Sequence, residues 1–335
     1  MSRRLHRIIF PIIVFIAVYF VGPEPSTPKW EEFLPMVPTG ADSLEAYIEK
    51  KERAHNLKPD NHARIVWADS ARERTPYAVV YLHGFSASQK EGDPVHRRFA
   101  SEFGCNLYLA RMADHGIDTV EALINFTTDR WWASAREALA IGKQLGDKVV
   151  LMSTSTGGTM ALALAAAFPE DVHALINMSP NIAINNDAAF LLNNPWGLYI
   201  ARLVTGGKYR EWDAPAERRQ YWYNKYRLEA AVELQEMLES KMTPETFRKV
   251  TQPCLTLYYY KDEAHQDPEV KVSAMLDMMS QLGTPDTQKR AVAIPDANAH
   301  VIGSSLVSED VESVYSAMQA FAREVLKMRS EHQEL

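Results

Sequence analysis

The segment 149–165, VVLMSTSTGGTMALALA, holds the residues whose types and spacing best suit nucleophilic chemistry. A strand pattern ends at Ser155, two glycines follow, and a helix of small residues begins. A sharp turn between strand and helix pushes a serine hydroxyl outward, as in the G-x-S-x-G nucleophile elbow. Ser153 replaces the first glycine, where strand and helix crowd together. Ser155 is therefore the candidate nucleophile, and the alternative is a generic strand–helix turn such as one that cradles phosphate.

A serine hydroxyl is a weak nucleophile near neutral pH, so Ser155 needs a base and a carboxylate that orients this base. Asp262 follows directly after the strand pattern of CLTLYYYKD, where a loop points at the site. Glu263 and Asp267 are rival carboxylates in the same loop. We choose Asp262 by its position, and the alternative is that it caps a turn.

The candidate base is His300, in the loop between the last strand pattern and the last helix pattern. Small neighbours, Ala297 and Ala299, leave room for the ring to approach. The chain order serine, aspartate, histidine is the order that a strand–turn–helix nucleophile site requires. His300 is expected to take the proton of Ser155 and return it to the leaving group.

A second turn offers backbone N–H groups that could stabilise a negatively charged oxygen. The strand YAVVYLHG ends in residues 83–85, HGF, and a backbone N–H after such a turn can face a reacting carbonyl oxygen. We expect the N–H groups of Phe85 and Thr156 to form an oxyanion hole, in which the loss of one donor typically costs about 10² to 10³ in rate. The alternative is a tight strand-end turn without this role.

The elements that must position these residues alternate along the chain. Short apolar runs, typical of strands, occur at 63–68, 77–84, 106–112, 148–155, 173–180, 254–262 and 290–297, with helical patterns between most of them. This alternation predicts an α/β fold with a mostly parallel sheet covered by helices on both faces. The first run is expected to pair antiparallel with the second, because a short polar turn joins them.

The alternation is interrupted between 181 and 250. This stretch is helical in pattern and dense in tryptophan and tyrosine. An insertion of this kind between two strands predicts a helical cap over the carboxyl edge of the sheet, where open α/β sheets bind ligands. Its aromatics favour an apolar or aromatic substrate, although each of them could simply pack the cap onto the sheet.

The chain resembles the α/β-hydrolase family over roughly 60–330, most closely carboxylesterases and monoacylglycerol-lipase-like serine hydrolases with a small helical cap. The resemblance depends on residues 83–85, the segment ADHG at 113–116, the pair Trp131-Trp132 and the three triad positions. In ADHG, Asp114 stands where the family commonly has glycine, and His115 is expected to be structural.

The resemblance implies the α/β-hydrolase fold and a Ser-His-Asp hydrolase that cleaves carboxylic esters, including lipid or acylglycerol esters, through an acyl-enzyme. Two alternatives stay open. One is a serine aminopeptidase-like hydrolase that cleaves amides or peptides with the same fold, and the other is an inactive member that acts as a binding protein. Acyl-chain length, leaving group and oligomeric state are left undetermined.

The composition of the chain argues against several classes of ligand. The chain has 335 residues and a formal net charge of −7, and basic residues cluster only at the N-terminus. These features argue against nucleic-acid binding. Neither a nucleotide-binding glycine motif nor a metal-ligand motif occurs, so we expect no cofactor and no metal. The two cysteines, Cys105 and Cys254, lie in or beside apolar runs and are expected to be buried free thiols.

The N-terminal segment predicts contact with a membrane. Three arginines and a histidine precede an apolar run at 8–21, the pattern of a signal-anchor or a signal peptide, so we assign residues 1–22 to it. Residues 23–42 are proline-rich and are predicted to be a stiff tether. The predicted hydrolase core is 43–180 with 251–335, and 181–250 is the cap. This arrangement places the catalytic domain outside the cytoplasm, either anchored or, after cleavage, secreted.

Overall fold

The computed structural model describes residues 3–330 and is built around one large sheet. Its strands are β1 (Arg64–Val66), β2 (Thr75–Leu82), β3 (Asn106–Leu109), β4 (Gly146–Thr154), β5 (Ala174–Met178), β6 (Tyr209–Glu211), β7 (Lys225–Arg227), β8 (Cys254–Tyr258), β9 (Tyr260–Asp262), β10 (His265–Gln266) and β11 (Lys289–Ala293). Seven of them form the central sheet in the order β1-β3-β2-β4-β5-β8-β11. All neighbours in it are parallel except β1 and β3.

Helices cover both faces of this sheet. The helices of the described chain are α1 (Arg3–Phe20), α2 (Ala41–Glu52), α3 (Val95–Glu102), α4 (Thr128–Leu145), α5 (Thr156–Ala167), α6 (Gly197–Thr205), α7 (Ala216–Tyr221), α8 (Leu228–Lys241), α9 (Pro244–Lys249), α10 (Val272–Gln281) and α11 (Val311–Glu324). One core cluster packs α4, α5 and α10 on one face, and a second packs α3 and α11 on the other. The predicted α/β fold, with a mostly parallel covered sheet, is confirmed.

The central strands are apolar along their length because neither face reaches water. Residues 78–82 of β2 and 150–152 of β4 are completely buried. Alternate side chains of these strands belong to the two different core clusters. Continuous hydrophobic runs are the expected signature of such doubly covered parallel strands.

The expected pairing of the first strand with the second is wrong. β1 pairs antiparallel with β3, with Ile65 opposite Tyr108. β2 already has parallel partners on both edges, β3 on one side and β4 on the other, so neither edge can accept β1. The short turn between β1 and β2 therefore crosses over β3 instead of closing a hairpin.

Residues 181–250 contain the helices α6 to α9 and the small hairpin β6–β7. The stretch contacts the core next to the end of β2: the Tyr223 N–H donates to the Ser86 carbonyl at 2.7 Å, and the Tyr223 hydroxyl donates to the Ile117 carbonyl at 2.6 Å. Phe247 of α9 belongs to the main core cluster. The boundaries of a separate cap stay a prediction.

The proline-rich segment after α1 is extended, but it is docked on the core. The Trp132 indole N–H donates to the Glu31 carbonyl at 2.8 Å, and the Arg136 guanidinium bonds the Glu31 carboxylate and the Phe33 carbonyl. Trp30 packs edge-on against Trp132. The segment therefore begins the folded unit rather than standing free of it.

The helix α1 precedes this segment, and from Phe10 onward most of its described side chains are exposed and apolar. Between residues 3 and 330, no helix combines the length and the apolar character needed to cross a membrane.

Candidate active site

Ser155 lies at a sharp turn between β4 and α5, with a positive φ of 52°. A non-glycine residue in this region is strained by about 1–3 kcal/mol and persists only where its surroundings hold it. Here the Ser155 N–H donates to the Met178 carbonyl at 3.0 Å, and its carbonyl accepts from the N–H groups of Gly158 and Asn181. The positive φ confirms the sharp strand–helix turn that the sequence predicts at Ser155, and its role as the nucleophile stays a prediction.

The glycine at 157 is required by close packing. A Cβ on Gly157 would lie 2.0 Å from the Leu82 carbonyl oxygen, so any side chain there would separate α5 from the end of β2. At the other end of the motif, Ser153 is fully buried, and its hydroxyl donates to Asn177 Oδ1 on β5 at 2.8 Å. The serine in place of the usual first glycine is thus accommodated by a hydrogen bond to the neighbouring strand.

Two buried histidines fix the turn after β2. His83 Nε2 accepts the Met112 N–H at 3.0 Å, so its other nitrogen, Nδ1, donates to the Gly84 carbonyl at 2.8 Å. His115 Nε2 accepts the Ser86 N–H at 2.9 Å. Burial, with smaller contributions from neighbouring groups, lowers the pKa of His83 well below its usual value and that of His115 to about 3. Both rings are therefore neutral and structural, as expected for His115.

The structure places both predicted oxyanion donors at turns beside Ser155. Thr156 is the first residue of α5, where a helix leaves its amides without intrahelical partners. On the other turn, the N–H of Gly84 is held by the Glu91 carboxylate and that of Ser86 by His115. The Phe85 N–H lies between these two paired amides. The oxyanion role of both residues stays a prediction.

His300 pairs with Asp267. Its Nδ1 lies 2.7 Å from Asp267 Oδ2, and the Asp267 side chain is completely buried. The other carboxylate oxygen, Oδ1, accepts the N–H groups of Glu269 and Val270 at 2.9 and 3.1 Å. This carboxylate is held rigidly and fixes one nitrogen of the ring, as an orienting aspartate must.

The sequence prediction of Asp262 as the orienting carboxylate is corrected by this geometry. Asp262 is exposed, and it bonds the His265 ring and the N–H groups of Ala264 and His265. The strand β8 ends at Tyr258, and the chain then folds back through the separate hairpin β9–β10, which brings the rival Asp267 to His300. Asp262 has the turn-capping role that was its alternative.

The loop of His300 lies beside the Ser155 elbow. A Cβ on Gly303 would lie 2.5 Å from the sulfur of Met178, and the Met178 carbonyl accepts the Ser155 N–H. The buried Glu91 provides a second link, because it interacts electrostatically with His300 and lies next to Gly84, which approaches Ser155 Cβ. The fold therefore brings Ser155, His300 and Asp267 to one edge of the sheet.

The electrostatics of His300 differ from those of the structural histidines. Burial alone would lower the pKa of His300, but the Asp267 carboxylate, with smaller contributions from Glu91 and Glu269, raises it to about 9. The carboxylates thus favour the cationic ring, the form that His300 takes when it has accepted a proton from a nucleophile.

The described site thus combines a serine at a strained turn with a histidine–aspartate pair. Residues 79–312 match the family model described as "Alpha/beta hydrolase family". This match covers more than half of the chain, so the chain belongs to the α/β-hydrolase family. No curated protein matches the sequence.

Solved structures share the fold at low sequence identity. One, from a study of LipS and LipT, two metagenome-derived lipolytic enzymes, has a TM-score of 0.64 and 17% identity, and the match covers 80% of this chain and 99% of the other. Est1E from Butyrivibrio proteoclasticus with bound ferulic acid has a TM-score of 0.56 and 20% identity, covering 79% and 95%. The monoacylglycerol lipase of Paleococcus ferrophilus has a TM-score of 0.55 and 12% identity, covering 77% and 96%.

Proposed function

We propose that the protein is a serine hydrolase that cleaves carboxylic esters through an acyl-enzyme. The observation that supports this most directly is the His300–Asp267 pair at the same sheet edge as the strained Ser155. The family and the esterase and lipase relatives in its fold agree with this proposal.

In the proposed reaction, Ser155 Oγ attacks the ester carbonyl carbon while His300 takes the hydroxyl proton. The carbon–oxygen bond to the alcohol then breaks, and His300 returns the proton to the departing alcohol. A water molecule, deprotonated by His300, next attacks the acyl carbon; the bond from this carbon to Ser155 Oγ breaks, the acid leaves, and His300 returns the proton to Ser155. Asp267 holds the ring and stabilises its cation, and the N–H groups of Phe85 and Thr156 stabilise the oxyanion.

The walls near the site favour an apolar acyl group. The Phe85 ring packs edge-on against Phe126 and Tyr226, with ring centroids 5.2 and 5.0 Å apart. Tyr226 follows the first residue of β7, in the predicted cap. Phe85 and Tyr226 are half-buried and can offer apolar contact to a hydrocarbon chain, so we propose lipid or acylglycerol esters as the substrate class.

The test is hydrolysis of a p-nitrophenyl ester series, from short to long acyl chains, by the full chain in detergent. We expect activity with a preference for medium or long chains, and a loss of at least about 10³-fold in Ser155→Ala. Ser153→Ala is the matched control, because it removes a neighbouring buried hydroxyl and should keep most of the activity. No turnover of any ester, together with no fluorophosphonate labelling of Ser155, would refute the proposal and favour a binding protein.

We also infer that the N-terminal segment attaches the protein to a membrane surface. The support is the set of exposed apolar side chains between Phe10 and Val21, preceded in the sequence by arginines 3, 4 and 7. Apolar side chains beside basic residues favour binding to anionic lipid. The full chain should float with vesicles that contain phosphatidylglycerol, and Phe10→Glu with Ile13→Glu should weaken this. Equal flotation of both would contradict the inference.

A further inference from the structure

Glu91 is a buried carboxylate beside the proposed site that the reaction above does not use. It lies in the short 3-10 turn Gln89–Gly92 and is 2% exposed. Burying a carboxylate is costly unless donors compensate it. The contacts of Glu91 should therefore show what compensates the cost of its burial.

The first contact is with the turn that precedes the Phe85 amide. The Gly84 N–H donates to Glu91 Oε2. A Cβ built on Gly84 would lie 2.8 Å from Ser155 Cβ and 3.0 Å from both oxygens of Glu91. The nucleophile and the Glu91 carboxylate therefore both flank this one glycine. Any shift of Glu91 would move the peptide that bears the predicted oxyanion donor.

The second contact is with the predicted cap. The Trp222 side chain lies close enough to the Glu91 carboxylate to lower its pKa. Trp222 packs in a small apolar cluster with Ala87 and with Val301, the neighbour of His300. Glu91 thus joins three elements, which are the turn after β2, the segment after α7 and the His300 loop.

The third relation is electrostatic. Burial raises the pKa of Glu91 to about 7, although the Gly84 N–H and His300 act in the opposite direction, and the Glu91 carboxylate in turn raises the pKa of His300. Asp267 and Glu269 are the other carboxylates that act on His300, and Tyr81 on β2 is the other titratable group influenced by Glu91. A negative charge at this place stabilises the imidazolium that forms when Ser155 loses its proton.

We propose that Glu91 is a positioning residue of this site, which holds the Gly84 turn against the Ser155 elbow and stabilises the cationic form of His300 together with Asp267. This inference rests on the proposed function, because it assigns Glu91 a role in the same reaction. The two roles can be tested separately. Holding the turn needs a hydrogen-bond acceptor that reaches the Gly84 N–H, whereas stabilising the His300 cation needs a negative charge.

The experiment measures the rate of fluorophosphonate labelling of the full chain between pH 5 and 10. In this probe reaction a bond forms from Ser155 Oγ to phosphorus, fluoride leaves, and His300 takes the proton. The rate therefore rises with pH as His300 becomes neutral. Glu91→Gln should shift the midpoint down by about half a pH unit to one unit, because a negative charge is removed from His300. Its plateau rate should fall about tenfold, because the turn is held less firmly.

Glu91→Asp is the second variant. It keeps the charge but is one methylene shorter, so its plateau should fall while its midpoint stays near that of the wild type. Glu102→Gln is the matched control, because this carboxylate is largely buried and hydrogen-bonded to α11, away from the site. It should change neither quantity. Circular dichroism establishes that each variant is folded, and if Glu91→Gln does not fold, Glu91→Asp decides the positioning role by its plateau.

If the wild type is labelled normally and Glu91→Gln has the same midpoint and plateau, the inference about Glu91 is overturned, whereas the proposed function is not. Equal midpoint shifts in Glu91→Gln and Glu91→Asp would overturn the charge role, since only one of them loses the charge. A wild type that is not labelled at any pH would instead refute the proposed function. The failures of the two proposals are therefore distinguishable.

Discussion

The buried histidines His83 and His115 and the partly buried His300 lie near the same site and have opposite properties. His83 and His115 use their ring nitrogens to hold backbone groups, and burial drives their pKa values down. His300 has one nitrogen on the buried Asp267, and carboxylates raise its pKa to about 9. The comparison shows that neighbouring carboxylates give His300 a raised pKa, whereas His83 and His115, which lack such partners among their main influences, have lowered pKa values.

The strongest test of this comparison removes the charge beside His300. Asp267→Asn should lower kcat/KM for an ester by about 10³ to 10⁴, because the ring loses the group that orients it and stabilises its cation. Asp262→Asn is the matched control in the same hairpin and should stay within about threefold of the wild type. Equal losses in both variants, measured by steady-state hydrolysis, would restore Asp262 to the site.

The pH profile of kcat/KM should show the raised pKa of His300. The reaction needs the neutral ring, so activity should rise with pH and reach its plateau only above about 9. At pH 7 the rate should be about a hundredfold below the plateau, since each pH unit below the pKa costs about tenfold. A plateau already reached at pH 7 would contradict the proposed environment of His300.

The two groups should also affect stability in opposite pH ranges. For His115 the folded pKa of about 3 lies below the unfolded value near 6.5, so its contribution is complete above pH 6.5 and is lost as pH falls toward 3. For His300 the contribution is complete below pH 6.5 and is lost as pH rises through about 9.

Denaturant unfolding between pH 4 and 6 tests the structural group. His115→Gln should reduce the slope of the unfolding free energy against pH by up to about 1.4 kcal/mol per unit, since one titrating proton is removed. The same exchange at an exposed histidine, His62→Gln, is the control. A slope that is the same in all three proteins would show that His115 does not titrate on unfolding.

The smallest effect is expected at the unusual first position of the elbow motif. Ser153→Gly removes the hydrogen bond to Asn177 and restores the usual glycine, so we expect a loss of about 1 kcal/mol in stability and activity within about twofold. A large gain in activity would instead show that Ser153 strains the elbow. Thermal unfolding and ester hydrolysis on the same sample measure both quantities.

Local sequence determined the elements and two of the three proposed site residues. Ser155 follows a buried strand and precedes a helix of small residues, so its turn depends mostly on neighbours in the chain. His300 could be found because it lies in the loop after the last strand, where the order of the family places it. The strands of the sheet were predictable for a related reason, since burial on both faces leaves continuous apolar runs.

Only the tertiary structure shows that Asp267, and not Asp262, pairs with His300. Both lie in one loop of similar polarity, and the hairpin β9–β10, which turns one outward and the other toward His300, depends on contacts with distant chain. The place of β1 beside β3 and the contacts of Glu91, on which its proposed role rests, could not be predicted from the sequence for the same reason. A sequence pattern indicates which residues are buried, because burial requires apolar side chains. The pairing of polar groups that are far apart in the chain depends instead on the tertiary structure.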